Sequence, residues 1–162
     1  MRRELEAGTG RAFLDVGGGT GAVAEAVSGG CPKVVVLEPH ERRRTTGAKR
    51  RPTVEFVAGQ AEKIAFPDGT FDRVMASVSL HHFRDVGAAL EEIRRVLSPG
   101  GRLVIFELDP SGRRGRFLRR LHGHVSLIGS EALAKRLLEA GFSEVEAFAS
   151  GPGYVTRARR MK

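Results

Sequence analysis

The chain has 162 residues and a single cysteine, and its 27 Lys and Arg against 19 Asp and Glu give a formal net charge of +8. That length fits one domain able to bury roughly two-thirds of its unfolded surface, and no apolar run approaches the length of a membrane span. Cys31 excludes an internal disulfide and any cysteine metal cluster, Met1–Glu6 lacks the apolar core of a signal peptide, and a cytoplasmic location is expected.

The excess of positive charge favours anionic partners. It is concentrated at Arg42–Arg44, Lys49–Arg51, Arg113–Arg120 and Arg157–Lys162. With one Tyr and no Trp, the chain lacks the interleaved aromatics of base-stacking surfaces, so a nucleic-acid partner is possible but not favoured.

Strand-like and helix-like runs alternate along the chain. Ala12–Val16 reads as a strand and Thr20–Ser28 as a helix, with Gly17-Gly18-Gly19-Thr20-Gly21 between them. Glycines there admit positive φ and let a ligand approach the backbone, and the helix behind them offers free N–H groups. Lys33–Leu37 is a β-branched run of the kind found inside parallel sheets. Val54–Ala58 and Phe71–Val78 are the next strands. In Val86–Leu97, the residues Val86, Ala89, Leu90, Ile93 and Leu97 recur at helical spacing. Ser98-Pro99-Gly100-Gly101 is expected to turn the chain into strand Arg102–Leu108. Ser130 is expected to cap a helix over Ser130–Ala140, with Gly141 at its C-cap. Val145–Ala149 and Tyr154–Ala158 follow too closely for a crossover helix and should pair antiparallel. The alternation predicts an α/β fold, an open and mostly parallel sheet with helices on both faces.

Two carboxylates end apolar strands, Asp15 and Glu38, one strand–helix–strand unit apart. An ionised group at such an edge is costly unless something pairs with it, and in open α/β sheets ligands bind beyond the carboxyl ends of strands. An acid in the place of Glu38 can accept hydrogen bonds from ribose hydroxyls. Gly17–Ala22 also satisfies a dinucleotide fingerprint, so the turn alone leaves the nucleotide open. His81 and His82 can each take a proton near neutral pH. Adjacent on extended chain, they point opposite ways and make no obvious metal pair, so no metal is expected.

Leu14-Asp15-Val16-Gly17-Gly18-Gly19-Thr20-Gly21, Glu38, Gly59-Gln60-Ala61-Glu62, Leu80-His81-His82-Phe83 and Val96-Leu97-Ser98-Pro99-Gly100-Gly101 together resemble the class I S-adenosylmethionine-dependent methyltransferases, small-molecule type, over about residues 11–159. The resemblance implies a Rossmann-like sheet of seven strands with an antiparallel last strand, and S-adenosyl-L-methionine as cofactor. It assigns Asp15, Gly17, Gly18 and Gly19 to the methionine part, Glu38 with Pro39 to the ribose, and Gln60, Ala61 and Glu62 to the adenine. The backbone near Ser77 would help hold the amino-acid end, and His81 and His82 would lie beside the reactive methyl, where either could act as a base though none is obligatory. Relatives usually carry Asp where this chain has Gln60, whose amide can still accept and donate. The acceptor is expected to be a small molecule, possibly anionic. An NAD-type nucleotide-binding protein and a non-catalytic partner subunit are the alternatives. Met1–Gly10 is expected to be too short for the lid of this family, and the basic segment 109–128, with Arg116, Arg119 and Arg120, is the candidate for the substrate side.

Overall fold

The computed structural model describes residues 2–5, 10–113, 116–117, 120 and 127–162. Seven strands form one sheet: β1 (Ala12–Val16), β2 (Lys33–Leu37), β3 (Glu55–Val57), β4 (Phe71–Ser77), β5 (Leu97–Leu108), β6 (Phe142–Ser150) and β7 (Gly153–Arg160). Their spatial order is β3-β2-β1-β4-β5-β7-β6. Pairings through β5 are parallel, whereas β7 lies antiparallel between β5 and β6, as the short link between the last two strands requires.

Helices whose bounds fall among the described residues include α1 (Arg2–Leu5), α2 (Ala22–Val27), α3 (Glu41–Arg50), α4 (Val86–Val96) and α5 (Ser130–Glu139). Strand side chains alternate between the two faces of the sheet. Leu14, Val35, Val74 and Ile105 face α4 and α5, packing with Leu90, Ile93 and Leu137. Phe13, Val36, Met75 and Val104 face the other way, with Leu5 of α1 and Ala24 of α2. Asp85 caps α4, its Oδ1 accepting the Ala88 N–H at 3.1 Å.

Three local expectations change. Arg42–Arg44 and Lys49–Arg50, read only as basic clusters, lie on helix α3, whose one buried residue is Gly47. Ser98–Gly101, expected to lead into a strand beginning at Arg102, lies within the strand itself. β5 already pairs Leu97 with Phe71 and resumes at Arg102 opposite Arg73, so the Pro-Gly-Gly run bulges out of a continuous strand. Ser130 is the first helical residue of α5, while Gly129 holds the N-cap position without a side-chain bond. Gly141 meets its expectation, with φ +83 just past the helix end.

Candidate functional site

The carboxyl ends of β1 and β2 meet at the glycine turn. Gly17 donates its N–H to Leu37 O at 2.8 Å, joining the two strand ends. Gly17 has φ +73, and a Cβ there would lie 2.8 Å from the Cβ of Ser79. Gly18 needs its bare Cα for a second reason: a Cβ would lie 2.4 Å from Oδ2 of Asp15. The carboxyl group of Asp15 is therefore tucked directly beneath the turn.

Asp15 is fully buried, and neither of its oxygens has a hydrogen-bond partner among the described residues. Burial, and secondarily the charge of Glu38, push its pKa up to about 7. Glu38 is equally deep but supplied with donors. Its Oε2 accepts the Gly19 N–H and its Oε1 the His40 N–H, both at 3.0 Å. Arg44 fixes the same loop by donating to the carbonyls of Glu38 and Pro39 at 2.8 and 2.7 Å. Each carboxylate oxygen has two acceptor sites, so Glu38 can still accept from a ligand.

A cavity of about 320 Å³ opens beside the turn. Among the residues expected in the site, Gly17, Glu38, Pro39, Gln60, Ala61, Glu62 and His82 line it. Asp15, Gly18, Gly19, Ser77 and His81 lie outside its lining. Ser77 is taken up in the sheet, paired with Phe106. Two residues further on, Ser79 takes the place beside the turn: it lines the cavity, is buried, and its hydroxyl donates to Val16 O at 2.9 Å. Val78 makes that placement possible with φ +51, a conformation costly for a β-branched residue.

Glu62 both lines the cavity and braces it, since its Oε1 accepts the N–H groups of Arg84 and Asp85 at 2.6 and 3.2 Å. Behind that wall, Arg95 of α4 donates to Ile64 O at 2.7 Å and Phe66 O at 2.8 Å, anchoring the segment that carries Gln60 to Glu62. Sequence reasoning passed over Ser79, Arg43, Phe83 and Arg84 as lining residues. Ser79 has no local signal, because its burial follows from the turn at Val78.

His81 and His82 share a 3-10 turn (Leu80–His82) and diverge in environment. His82 faces the cavity, and its pKa is lowered by burial first, then by the charges of His81 and Arg43. His81 is turned inward to Glu107 of β5, with Nδ1 3.5 Å from Oε1. The described residues contain no group of three or more metal-ligating side chains. None of the described helices is long and apolar enough to cross a membrane.

A mostly parallel sheet, a glycine turn over a buried acid, and a second acid at the end of β2 define a nucleoside-cofactor site of the class I methyltransferase type. The sequence profile of the Methyltransferase domain family matches residues 14–105, and the chain belongs to that family. It is 38% identical over 100 residues to the demethylmenaquinone methyltransferase of Renibacterium salmoninarum, covering 62% of this chain and 42% of that one. It is 33% identical over 110 residues to the ubiquinone/menaquinone biosynthesis C-methyltransferase UbiE of Coxiella burnetii, covering 62% and 44%. The matches therefore span less than half the length of these relatives. Among solved structures, the S-adenosylmethionine-dependent methyltransferase of Thermotoga maritima, described as a possible histamine N-methyltransferase, superposes with a TM-score of 0.78 at 25% identity, covering 97% of this chain and 87% of that one.

S-adenosyl-L-methionine is the cofactor that this membership implies, and the residues present fit it. The Asp15 carboxylate, unpartnered among the described residues, lies under a turn where a Cβ on Gly19 would meet nothing within 4 Å. That combination suits a cationic, hydrogen-bond-donating group of a ligand laid against the glycines. Glu38 suits a diol.

Proposed function

We propose that this chain transfers a methyl group from S-adenosylmethionine to a small-molecule acceptor in the cytoplasm, at a carbon of a reduced, quinone-like aromatic ring. The observation that carries the reading is the buried Asp15 carboxylate, unpartnered among the described residues beneath the turn and beside the acid of Glu38. The names of the two quinone-pathway relatives support the acceptor class.

Bound S-adenosylmethionine supplies an electrophilic methyl group on a sulfonium sulfur. The protein's residues bind and orient. Asp15 and the N–H groups of the glycine turn would hold the methionine end, Glu38 the ribose hydroxyls, and Gln60 with Ala61 the adenine edge. Ser79 keeps the end of β4 against the turn, so that the donor and acceptor sides stay in register. Alignment and exclusion of water account for much of the acceleration of an in-line displacement. Arg113, Arg116 and Arg120, all exposed beyond the end of β5, would meet an anionic group on the acceptor, and Arg119 lies outside the described residues.

Calorimetry with S-adenosylhomocysteine and NAD in parallel tests the reading. S-adenosylhomocysteine should bind about a hundredfold tighter, close to 3 kcal/mol. Comparable or reversed affinities would overturn it. Transfer of labelled methyl to a demethylmenaquinol tests the acceptor, and an intact cofactor site without turnover on a broad acceptor panel would instead indicate a non-catalytic partner subunit.

A further inference from the structure

Arg43 lies in the first turn of α3 and lines the cofactor cavity, where none of the ligand contacts assigned above uses it. Its neighbour Arg44 is committed, donating to the carbonyls of Glu38 and Pro39 at 2.8 and 2.7 Å. Arg43 is held far more loosely. Its Nη1 stands 3.9 Å from Oε2 of Glu38, too far for a hydrogen bond, and its side chain is 51% exposed. An ion pair that long and that open to water contributes little to stability. The charge is nevertheless felt inside the cavity. On the wall, His82 has its proton affinity lowered by burial first, then by His81 and Arg43.

Glu38 sets what can come to lie beside Arg43. Its Oε2 accepts the Gly19 N–H at 3.0 Å, and the acceptor sites left over suit ribose hydroxyls. In a nucleoside only two ring carbons separate the 2′-hydroxyl from the base. A ribose held on Glu38 therefore carries the base into reach of the Arg43 guanidinium, in a cavity where Leu37, Pro39 and Ala61 supply apolar contacts. A guanidinium is planar and weakly hydrated, and it is drawn to the negative face of an aromatic ring. Half exposed and without a hydrogen bond to break at Glu38, Arg43 can turn onto such a face at the cost of side-chain entropy alone.

We propose that Arg43 is a specificity-determining residue of the cofactor site, its guanidinium plane laid over the adenine once Glu38 holds the ribose. Gln60 and Ala61 meet the edge of the base and Arg43 its face, so the site selects for an aromatic base as well as for a diol. The contact makes and breaks no covalent bond; it holds the nucleoside in place during the transfer. This rests on the methyl-transfer reading and adds to it a stacking cation that the sequence motifs do not contain.

The test is calorimetry of the full chain with S-adenosylhomocysteine and S-ribosylhomocysteine, in the wild type, Arg43→Lys and Arg43→Gln. The second ligand keeps the ribose and the amino-acid end but carries a hydroxyl in place of adenine. Lys retains a positive charge near Glu38 without a plane to stack, and Gln removes the charge. Both substitutions should weaken S-adenosylhomocysteine by about fivefold and leave S-ribosylhomocysteine within about twofold of the wild type. Full retention of S-adenosylhomocysteine affinity by Arg43→Lys would overturn the stacking role, because charge beside Glu38 would then suffice. Equal losses for the two ligands would overturn it as well, since Arg43 would then act through Glu38 and the ribose. Failure of the wild type to bind S-adenosylhomocysteine would instead defeat the methyl-transfer reading, an outcome separate from the others.

Discussion

Asp15→Asn isolates the central electrostatic feature of the site. The substitution keeps the shape of the side chain and removes its titration. In the unfolded chain the carboxyl group loses its proton near pH 3.8, whereas in the folded protein it keeps it to about pH 7. Between those values the folded state binds more protons than the unfolded state, so stability falls as pH rises. Over about 3 pH units at 1.36 kcal/mol each, the loss is on the order of 4 kcal/mol, fully present only above pH 7. Thermal unfolding of the ligand-free protein from pH 4 to pH 8 should therefore show a wild-type Tm that declines towards pH 8, and a much flatter Asp15→Asn curve. A cationic ligand reverses the sign, because it binds the ionised carboxylate. Affinity for S-adenosylhomocysteine, measured by calorimetry, should rise by up to tenfold per pH unit below pH 7 in the wild type and stay nearly flat, and weaker, in Asp15→Asn. Parallel Tm curves for the two proteins would refute the argument, since the buried carboxyl would then contribute nothing that titrates.

Gly18→Ala drives a methyl group to within 2.4 Å of Oδ2 of Asp15; it should cost about 1–3 kcal/mol in urea unfolding and abolish S-adenosylhomocysteine binding. Ser79→Ala deletes the bond to Val16 O, with an expected loss of about 1 kcal/mol and a weaker grip on the cofactor, read by the same two assays. Val78→Asn replaces a β-branched residue at φ +51 with one that tolerates it and should raise stability by about 1 kcal/mol, with an unchanged or lower Tm counting against strain there. Arg116→Glu with Arg120→Glu should lower methyl transfer to an identified acceptor while leaving S-adenosylhomocysteine affinity intact, and unchanged turnover would remove the basic segment from the substrate side.

How much of this was legible follows from what each element buries. β2 declared itself because both faces of a central parallel strand are covered, giving the unbroken run Val34–Leu37. α3 did not, because its only buried residue is a glycine and it has no apolar stripe; the parallel crossover from β2 to β3 imposes the helix. The site divides in the same way. Asp15, Glu38 and the Gln60 segment were found as polar groups at the ends of apolar strands, while Ser79 depended on a backbone reversal at Val78 that no residue pattern announces. His81 and His82 look equivalent in sequence and are separated only by what each side chain meets.

Glu107 obeys the rule that found Asp15 and Glu38, yet it escaped notice because Leu108 and Asp109 follow it and hide the end of the strand. All three acids are buried at one edge of the sheet, and what distinguishes them is the compensation each receives. Glu38 is met by two backbone N–H groups, and Glu107 by one N–H and a histidine. Asp15 is met by no donor among the described residues. An ionised group left in that condition is tolerated only where a partner arrives from outside. On the proposed reading, the place in the fold that most needs a cation is where the ligand's charged end would sit, and the depth of Asp15 beneath the glycine turn, rather than the glycines alone, would orient the cofactor.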